Sequence, residues 1–319
     1  MRAMIITELG TPLQRMEIDP PRLGEGEALI DVAAVGVNFA DSLMAKGRYQ
    51  ERPDPPFPCG MEAAGTVAAL GPAGSGALKV GDRVAVVHLG SMVAQLAAPA
   101  ALCAKIPDGL SFVDAAAMPV AYGTSHLALA KKAALAPGER LLVTGAAGGV
   151  GLTAVEIGAL MGAEVIAVAR GAEKLQIAKE KGATHLIDSE TADLKAEVKA
   201  LGGADVVYDA VGGALGTAAF RAARPGARIL PIGFAGGGPS EYPPNILLVK
   251  NQSVIGFNWG AHVRERPEDF AQTMAACFAW RAEGRLAPLV SDVMPLEEAN
   301  AAIELLTTRQ AKGKVVLTL

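Results

Sequence analysis

Arg140-Leu141-Leu142-Val143-Thr144-Gly145-Ala146-Ala147-Gly148-Gly149-Val150-Gly151 is the stretch on which the fold turns. Its first five residues form a short apolar run that ends in turn residues, the signature of a buried strand. After the glycines, Val150, Ala154, Ile157 and Met161 recur at offsets of four, seven and eleven, which predicts an amphipathic helix with that face on a sheet. Between strand and helix stands Ala146-x-Gly148-x-x-Gly151, a dinucleotide fingerprint whose first glycine is alanine. Glycine at 148 lets backbone approach a pyrophosphate, and glycine at 151 lets helix and strand pack closely. The helix N-terminus offers free N–H groups and the positive end of its dipole. The predicted contacts are Ala147, Gly148, Gly149 and Val150. A glycine-rich helix start that binds nothing is the bland alternative, and the flanking elements argue against it.

Downstream, apolar segments Glu164–Ala169, His185–Asp188, Asp205–Asp209 and Arg228–Gly233 alternate with helical stretches, as in an α/β domain with a parallel sheet. One such helix, Ala172–Lys181, ends in Lys-Gly, a common helix stop. A further strand-like segment is Ser253–Phe257, and Ala235–Pro239 reads as a flexible surface loop. Upstream, the runs Ala28–Val37, Ala64–Leu70 and Arg83–His88 are cut by the turn clusters Pro53–Pro56, Gly71–Gly76 and Gly81-Asp82, which suggests a β-rich domain. A helix around Leu296–Leu306 and a strand Lys314–Leu319 return to it. The expected organisation is therefore a discontinuous domain, 1–120 plus 260–319, and a dinucleotide-binding domain, 121–259.

The chain of 319 residues is 51% hydrophobic and 19% charged, with a formal net charge of -4. That balance suits a packed α/β enzyme and lacks the basic footprint of a nucleic-acid partner. The N-terminus meets Glu8 and a Gly-Thr-Pro turn before a signal-peptide core can form, and no apolar run reaches the roughly 18 residues of a membrane span. Cys59, Cys103 and Cys277 are scattered without a Cys-x-x-Cys pair, so each reads as a small buried hydrophobe in a reducing, cytoplasmic setting.

An NAD site usually places an acid about 20 residues after the loop, at the end of the second strand. Here that end reads Val168-Ala169-Arg170-Gly171. No carboxylate repels a 2′-phosphate, and Arg170 and Lys174 attract one, so NADPH is expected. The loop also satisfies Thr-Gly-x-x-x-Gly-x-Gly of short-chain dehydrogenases, which use a Tyr-x-x-x-Lys pair. Tyr208 is followed four residues later by Gly212, and Tyr242 by Ile246, so that class is excluded.

Over its whole length the chain resembles the zinc-free quinone oxidoreductase, zeta-crystallin-like branch of the medium-chain dehydrogenase/reductase superfamily. The segments that carry the likeness are Gly36–Asp41 with Gly47-Arg48-Tyr49, Pro55–Gly65, Gly81–Val84, the nucleotide loop, and Lys250–Gly256 through Trp259-Gly260. The resemblance implies a Rossmann-type domain beside a GroES-like β-rich domain, and a homodimer. Where zinc-dependent relatives hold their catalytic metal, this chain has Asn38, Met61 and Pro119, none a thiolate or imidazole, so no metal is expected.

The implied chemistry is hydride delivery from a nicotinamide to an electron-poor acceptor such as a quinone. An enone, enoyl or acyl-CoA reductase on the same scaffold is the rival reading, and a non-enzymatic NADPH-binding protein is the third. By resemblance, Asn38 and Asp41 lie near the nicotinamide and Tyr49 lines the acceptor pocket. Thr124 contacts the cofactor, while Gly212, Gly233, Phe234, Asn258 and Trp259 border the nicotinamide or its ribose. Lys174 and Arg309 match positions that hold the 2′-phosphate. The bland reading of Asn38 and Asp41 is closure of a turn after the strand Ala28–Val37.

Overall fold

The computed structural model describes residues 1–72 and 76–319. Ala73, Gly74 and Ser75, at the centre of the predicted turn cluster Gly71–Gly76, lie outside the described residues. The chain divides into two compact units, Met1–Gly123 with Gly260–Leu319, and Thr124–Trp259.

In Thr124–Trp259, six strands form one parallel sheet in the spatial order His185–Asp188, Glu164–Ala169, Arg140–Thr144, Val206–Asp209, Arg228–Pro231 and Ser253–Val254. Counted along the chain, the order is 3-2-1-4-5-6, the doubly wound arrangement of Rossmann-type domains. The chain reverses direction across the sheet between the first strand, which feeds the glycine loop, and the fourth. The core is built from Leu142, Ile166, Val168, Val207, Phe220 and Ile229 with their neighbours. Two strands are shorter than the sequence suggests by two residues or more. Ile232 N and Gly233 N both donate to the Asp209 carbonyl, at 2.8 and 3.2 Å, so the chain turns off the ladder after Pro231. Of Ser253–Phe257, Ser253 and Val254 lie in the ladder and Ile255 N adds a bond to the Ile229 carbonyl at 2.8 Å, after which the chain leaves the sheet although its neighbour runs on to Pro231.

The predicted amphipathic helix is corrected. It spans Gly149–Leu160 and is buried continuously from Gly151 to Gly158, whereas Val150 and Met161 are only half-buried. No polar stripe exists because its sole charged residue, Glu156, is also buried and pairs with Lys181 Nζ at 3.0 Å. The loop Ala235–Pro239 lies at the surface as expected. It is exposed yet anchored, since Gly236 N donates to the Val211 carbonyl at 2.7 Å and Gly213 N to the Gly238 carbonyl at 2.9 Å.

In the other unit, the long strand Glu27–Val37 is the hub of a seven-stranded sheet. It pairs with Glu62–Leu70, Gln95–Pro99 and the C-terminal strand Lys314–Thr318, all antiparallel. Val290–Pro295, Arg83–Val87 and Cys103–Lys105 complete that sheet, and Gln14–Glu17, Arg2–Ile6 and Phe57–Pro58 form a second, three-stranded one. The alternating burial of Glu27–Val37 gives way to continuous burial at Val35–Val37, which delivers the chain into Asn38 from a packed core. Cys59 and Cys277 are buried as expected, while Cys103 is only half-buried.

Candidate functional site

Three glycines shape the loop after strand Arg140–Thr144, and their roles differ. Gly145 adopts φ +65°, a left-handed turn in which a side chain is strained, so the tight turn falls one residue before Ala146 and the alanine there is tolerated. Gly151 abuts the turn: a Cβ built on it lies 2.1 Å from the Gly145 carbonyl oxygen, so helix and loop touch only because the side chain is missing. Gly148, the helix N-cap, is exposed, and its nearest obstacle is that same oxygen at 3.3 Å. Bare backbone is thus exposed where a helix of 12 residues starts, the geometry that receives a pyrophosphate. Ala147 is buried beneath it with Ala169 and Leu175.

At the end of the second strand, Arg170 is exposed and Lys174 half-buried on the next helix, Ala172–Glu180. The structure adds an acid that a reading along the second strand misses. Asp188, on the third strand, lies opposite Ala169, and its Oδ1 accepts from Gly171 N at 3.2 Å and Glu190 N at 3.0 Å. Two cations and one carboxylate engaged with backbone therefore share this corner.

At the ends of the fourth and fifth strands, Gly212 is buried against Gly233, Phe234 and Gly238, while the Phe234 ring is half exposed. Beneath them Asp209 is 1% exposed. Trp259 is buried at the end of this unit, edge-on to Phe257, and Asn258 between them is exposed. Thr124 is buried at the unit's start.

In the other unit, Asn38 and Asp41 come together with two residues that the sequence reading did not single out. Asn38 N donates to Asp41 Oδ2 at 2.7 Å, the returning half of a capping box at the start of helix Phe39–Ala45. The Asn38 amide is fixed on both sides: Nδ2 donates to Glu62 Oε1 at 2.8 Å, and Oδ1 accepts from Lys314 Nζ at 2.9 Å. Lys314 Nζ also pairs with Glu62 Oε1 at 2.6 Å, both side chains being almost wholly buried. Glu62 Oε2 accepts from Val120 N at 2.7 Å. A charge inside an apolar strand must be partnered, so Glu62 in Glu62–Leu70 and Lys314 in Lys314–Thr318 each carried a readable signal.

Asp41 is fully buried, and its Oδ1 has no hydrogen-bond partner. Burial pushes its pKa up to about 7, against the opposing pull of the Asn38 N–H and the Lys314 ammonium. Tyr49 is half-buried; burial, then the charges of Glu51 and Asp41, push its phenol up to about 12, so it stays a hydrogen-bond donor. Arg309 also belongs to this unit, exposed and left-handed at φ +62° just beyond helix Ala299–Thr307.

The donor set does not suit a transition metal. Met61 is 8% exposed and Asn38 is already bonded to Glu62 and Lys314. Among the described residues no three His, Cys, Asp or Glu side chains are grouped to hold an ion.

Residues 24–137 match the family described as alcohol dehydrogenase GroES-like domain, and residues 149–279 the family described as zinc-binding dehydrogenase. The chain is 38% identical over 323 residues to quinone oxidoreductase-like protein 2 of Rattus norvegicus, covering 100% of this chain and 92% of the relative. Among solved structures it is similar to the quinone oxidoreductase of Thermus thermophilus, known also in complex with NADPH, with a TM-score of 0.88 and 33% identity over 100% of both chains. It is likewise similar to Escherichia coli quinone oxidoreductase complexed with NADPH, with a TM-score of 0.92 and 28% identity over 100% of both chains.

Proposed function

We propose, on the premise that this chain belongs to the zinc-free quinone oxidoreductase branch of the medium-chain dehydrogenase/reductase superfamily, that it is an NADPH-dependent reductase acting on a quinone. The observation that carries the reading is the glycine loop, where exposed Gly148 opens a helix start and Gly151 holds the helix against the turn. Residues Ala147 to Val150 would hold the pyrophosphate, and Arg170 and Lys174 the 2′-phosphate, a role that the family resemblance also gives to Arg309. Gly212, Gly233, Phe234, Asn258 and Trp259 are assigned to the nicotinamide and its ribose, and Thr124 to a further cofactor contact.

When bound, NADPH supplies a hydride to an electron-poor acceptor. What the chain adds is orientation and a proton inventory. Tyr49, neutral across the physiological range, donates a hydrogen bond to an acceptor carbonyl as it gains charge. Asn38 and Asp41 are positioning residues in this reading, because the amide is already bonded on both sides and the carboxyl is buried. A quinone suits such a site, since its reduced anion can take its proton from solvent and demands no general acid.

The cytoplasm is the proposed location, supported by three cysteines that are all free thiols. A homodimer is proposed as well. Leu248 and Val249 are 77% and 76% exposed on helix Pro244–Lys250, immediately before the edge strand Ser253–Val254, so apolar surface and an open ladder adjoin each other.

The test is loss of NADPH absorbance with a quinone panel and an enone and enoyl-CoA panel, for wild type and for Arg170→Ala/Lys174→Ala. The expected result is turnover of quinones, with the KM for NADPH raised in the variant far more than that for NADH. Turnover confined to enones or enoyl-CoA would move the assignment to that class, and turnover of neither panel would remove the enzyme reading.

A further inference from the structure

Asp209 ends the fourth strand of the parallel sheet, and the cofactor assignments above give it no role. It is buried at 1% exposure, and among the described residues no cation pairs with it. Its charge is met by neutral donors drawn from separate segments. Oδ1 accepts from Thr144 Oγ1 at 2.6 Å, Gly212 N at 3.0 Å and Val211 N at 3.2 Å, and Oδ2 accepts from Ser240 Oγ at 2.8 Å. Thr144 Oγ1 in turn accepts from Ala210 N at 3.1 Å. The packing leaves no slack, because a Cβ on Gly216 would lie 1.9 Å from Asp209 Oδ2 and 2.0 Å from Ser240 Oγ.

These donors are not a random set. Thr144 is the last residue before the glycine loop, Val211 and Gly212 follow the fourth strand, and Ser240 closes the segment after the fifth. One carboxylate therefore fixes the exits of the first, fourth and fifth strands, on either side of the point where the sheet reverses direction. A dinucleotide lies across that point. With the 2′-phosphate cations Arg170 and Lys174 beyond the second strand, the adenosine half takes the side of the second and third strands. The nicotinamide half then takes the side of the fourth and fifth.

We propose that Asp209 is a positioning residue for the nicotinamide half of the cofactor, acting through the loops at 210–212 and 233–240 rather than by contact. The inference rests on the NADPH reading and is independent of the acceptor.

The experiment is calorimetric binding of NADPH and of adenosine 2′,5′-bisphosphate, which carries the adenosine half alone. Wild type, Asp209→Ala, Asp209→Asn and Ser240→Ala are compared. Asp209→Ala leaves four donors unmet, so NADPH affinity should fall on the order of tenfold or more while that for the bisphosphate stays within about twofold. Asp209→Asn should recover most of the loss, because its Oδ1 still accepts and its Nδ2 can donate to Ser240 Oγ. Ser240→Ala, which leaves the Oδ1 bonds intact, should fall between and serves if the alanine variant does not fold. Equal weakening of both ligands, or no weakening of NADPH, would overturn the inference. A wild type that binds the bisphosphate and NADPH alike not at all would instead overturn the cofactor reading, and this inference with it.

Discussion

At Asp41 the folded protein holds a carboxyl away from water with one oxygen unpartnered, and that has a thermodynamic signature. Its folded value of about 7 lies above the ordinary 3.8, so the native state binds this proton more tightly than the unfolded chain. The contribution to stability is complete below the unfolded value, declines as pH rises, and is lost above about 7, with a slope of at most about 1.4 kcal/mol per pH unit. Asp41→Asn keeps an acceptor for Asn38 N and removes the titration. Its unfolding free energy should be flatter with pH across that window and exceed that of wild type at alkaline pH, as read by urea denaturation at several pH values. Identical slopes for the two proteins would refute the buried proton. Asn38 and Asp41 were legible as a pair from the sequence, and Glu62 and Lys314 each as a charge that needs a partner, but their meeting at Asn38 was not legible. Glu62 and Lys314 are 252 residues apart and meet only because the C-terminal strand pairs with Glu27–Val37. Asp209 was hidden differently: its strand was visible, whereas the convergence of Thr144, Gly212 and Ser240 on it is a product of the sheet order.

Among the elements, the turn from strand Arg140–Thr144 into helix Gly149–Leu160 separates two kinds of glycine. Gly148→Ala adds a methyl group whose nearest neighbour, the Gly145 carbonyl oxygen, is 3.3 Å away, so the loop has to give only a few tenths of an ångström and the fold should tolerate it while NADPH binding weakens. Gly151→Ala forces helix and turn apart, with a cost of about 1–3 kcal/mol and a lower Tm even in the ligand-free protein. Calorimetry and thermal unfolding of the two variants check this; similar Tm losses for both would contradict the distinction. The strands of the parallel sheet were readable because each is a short apolar run ended by turn residues. The helix was misjudged because offsets of four, seven and eleven in a segment with only one charge mark no particular face. The strand end at Pro231 was missed because it lies opposite Asp209, where the neighbouring strand ends, and a single run of sequence does not contain that neighbour.

For the whole molecule, the return of residues 290–318 to the sheet of Glu27–Val37 makes one unit from the two ends of the chain. Self-association is expected through the edge strand Ser253–Val254 and the exposed Leu248 and Val249. Light scattering at micromolar concentration should give twice the chain mass, with Leu248→Glu/Val249→Glu shifting it to the monomer. A monomeric wild type would remove the proposal.

Hydride transfer from NADPH to an organic acceptor with no bound cation assisting leaves an isotopic trace. The most direct measurement follows deuterium from C4-labelled NADPH to a reduced quinone or its solvent-exchanged water, and NADP⁺ formation, using protein dialysed against a strong chelator. Cation-free transfer should give stoichiometric loss of the label from the nicotinamide at an undiminished rate after chelation. A rate abolished by the chelator and restored by zinc, or no transfer at all with NADPH bound, would contradict it.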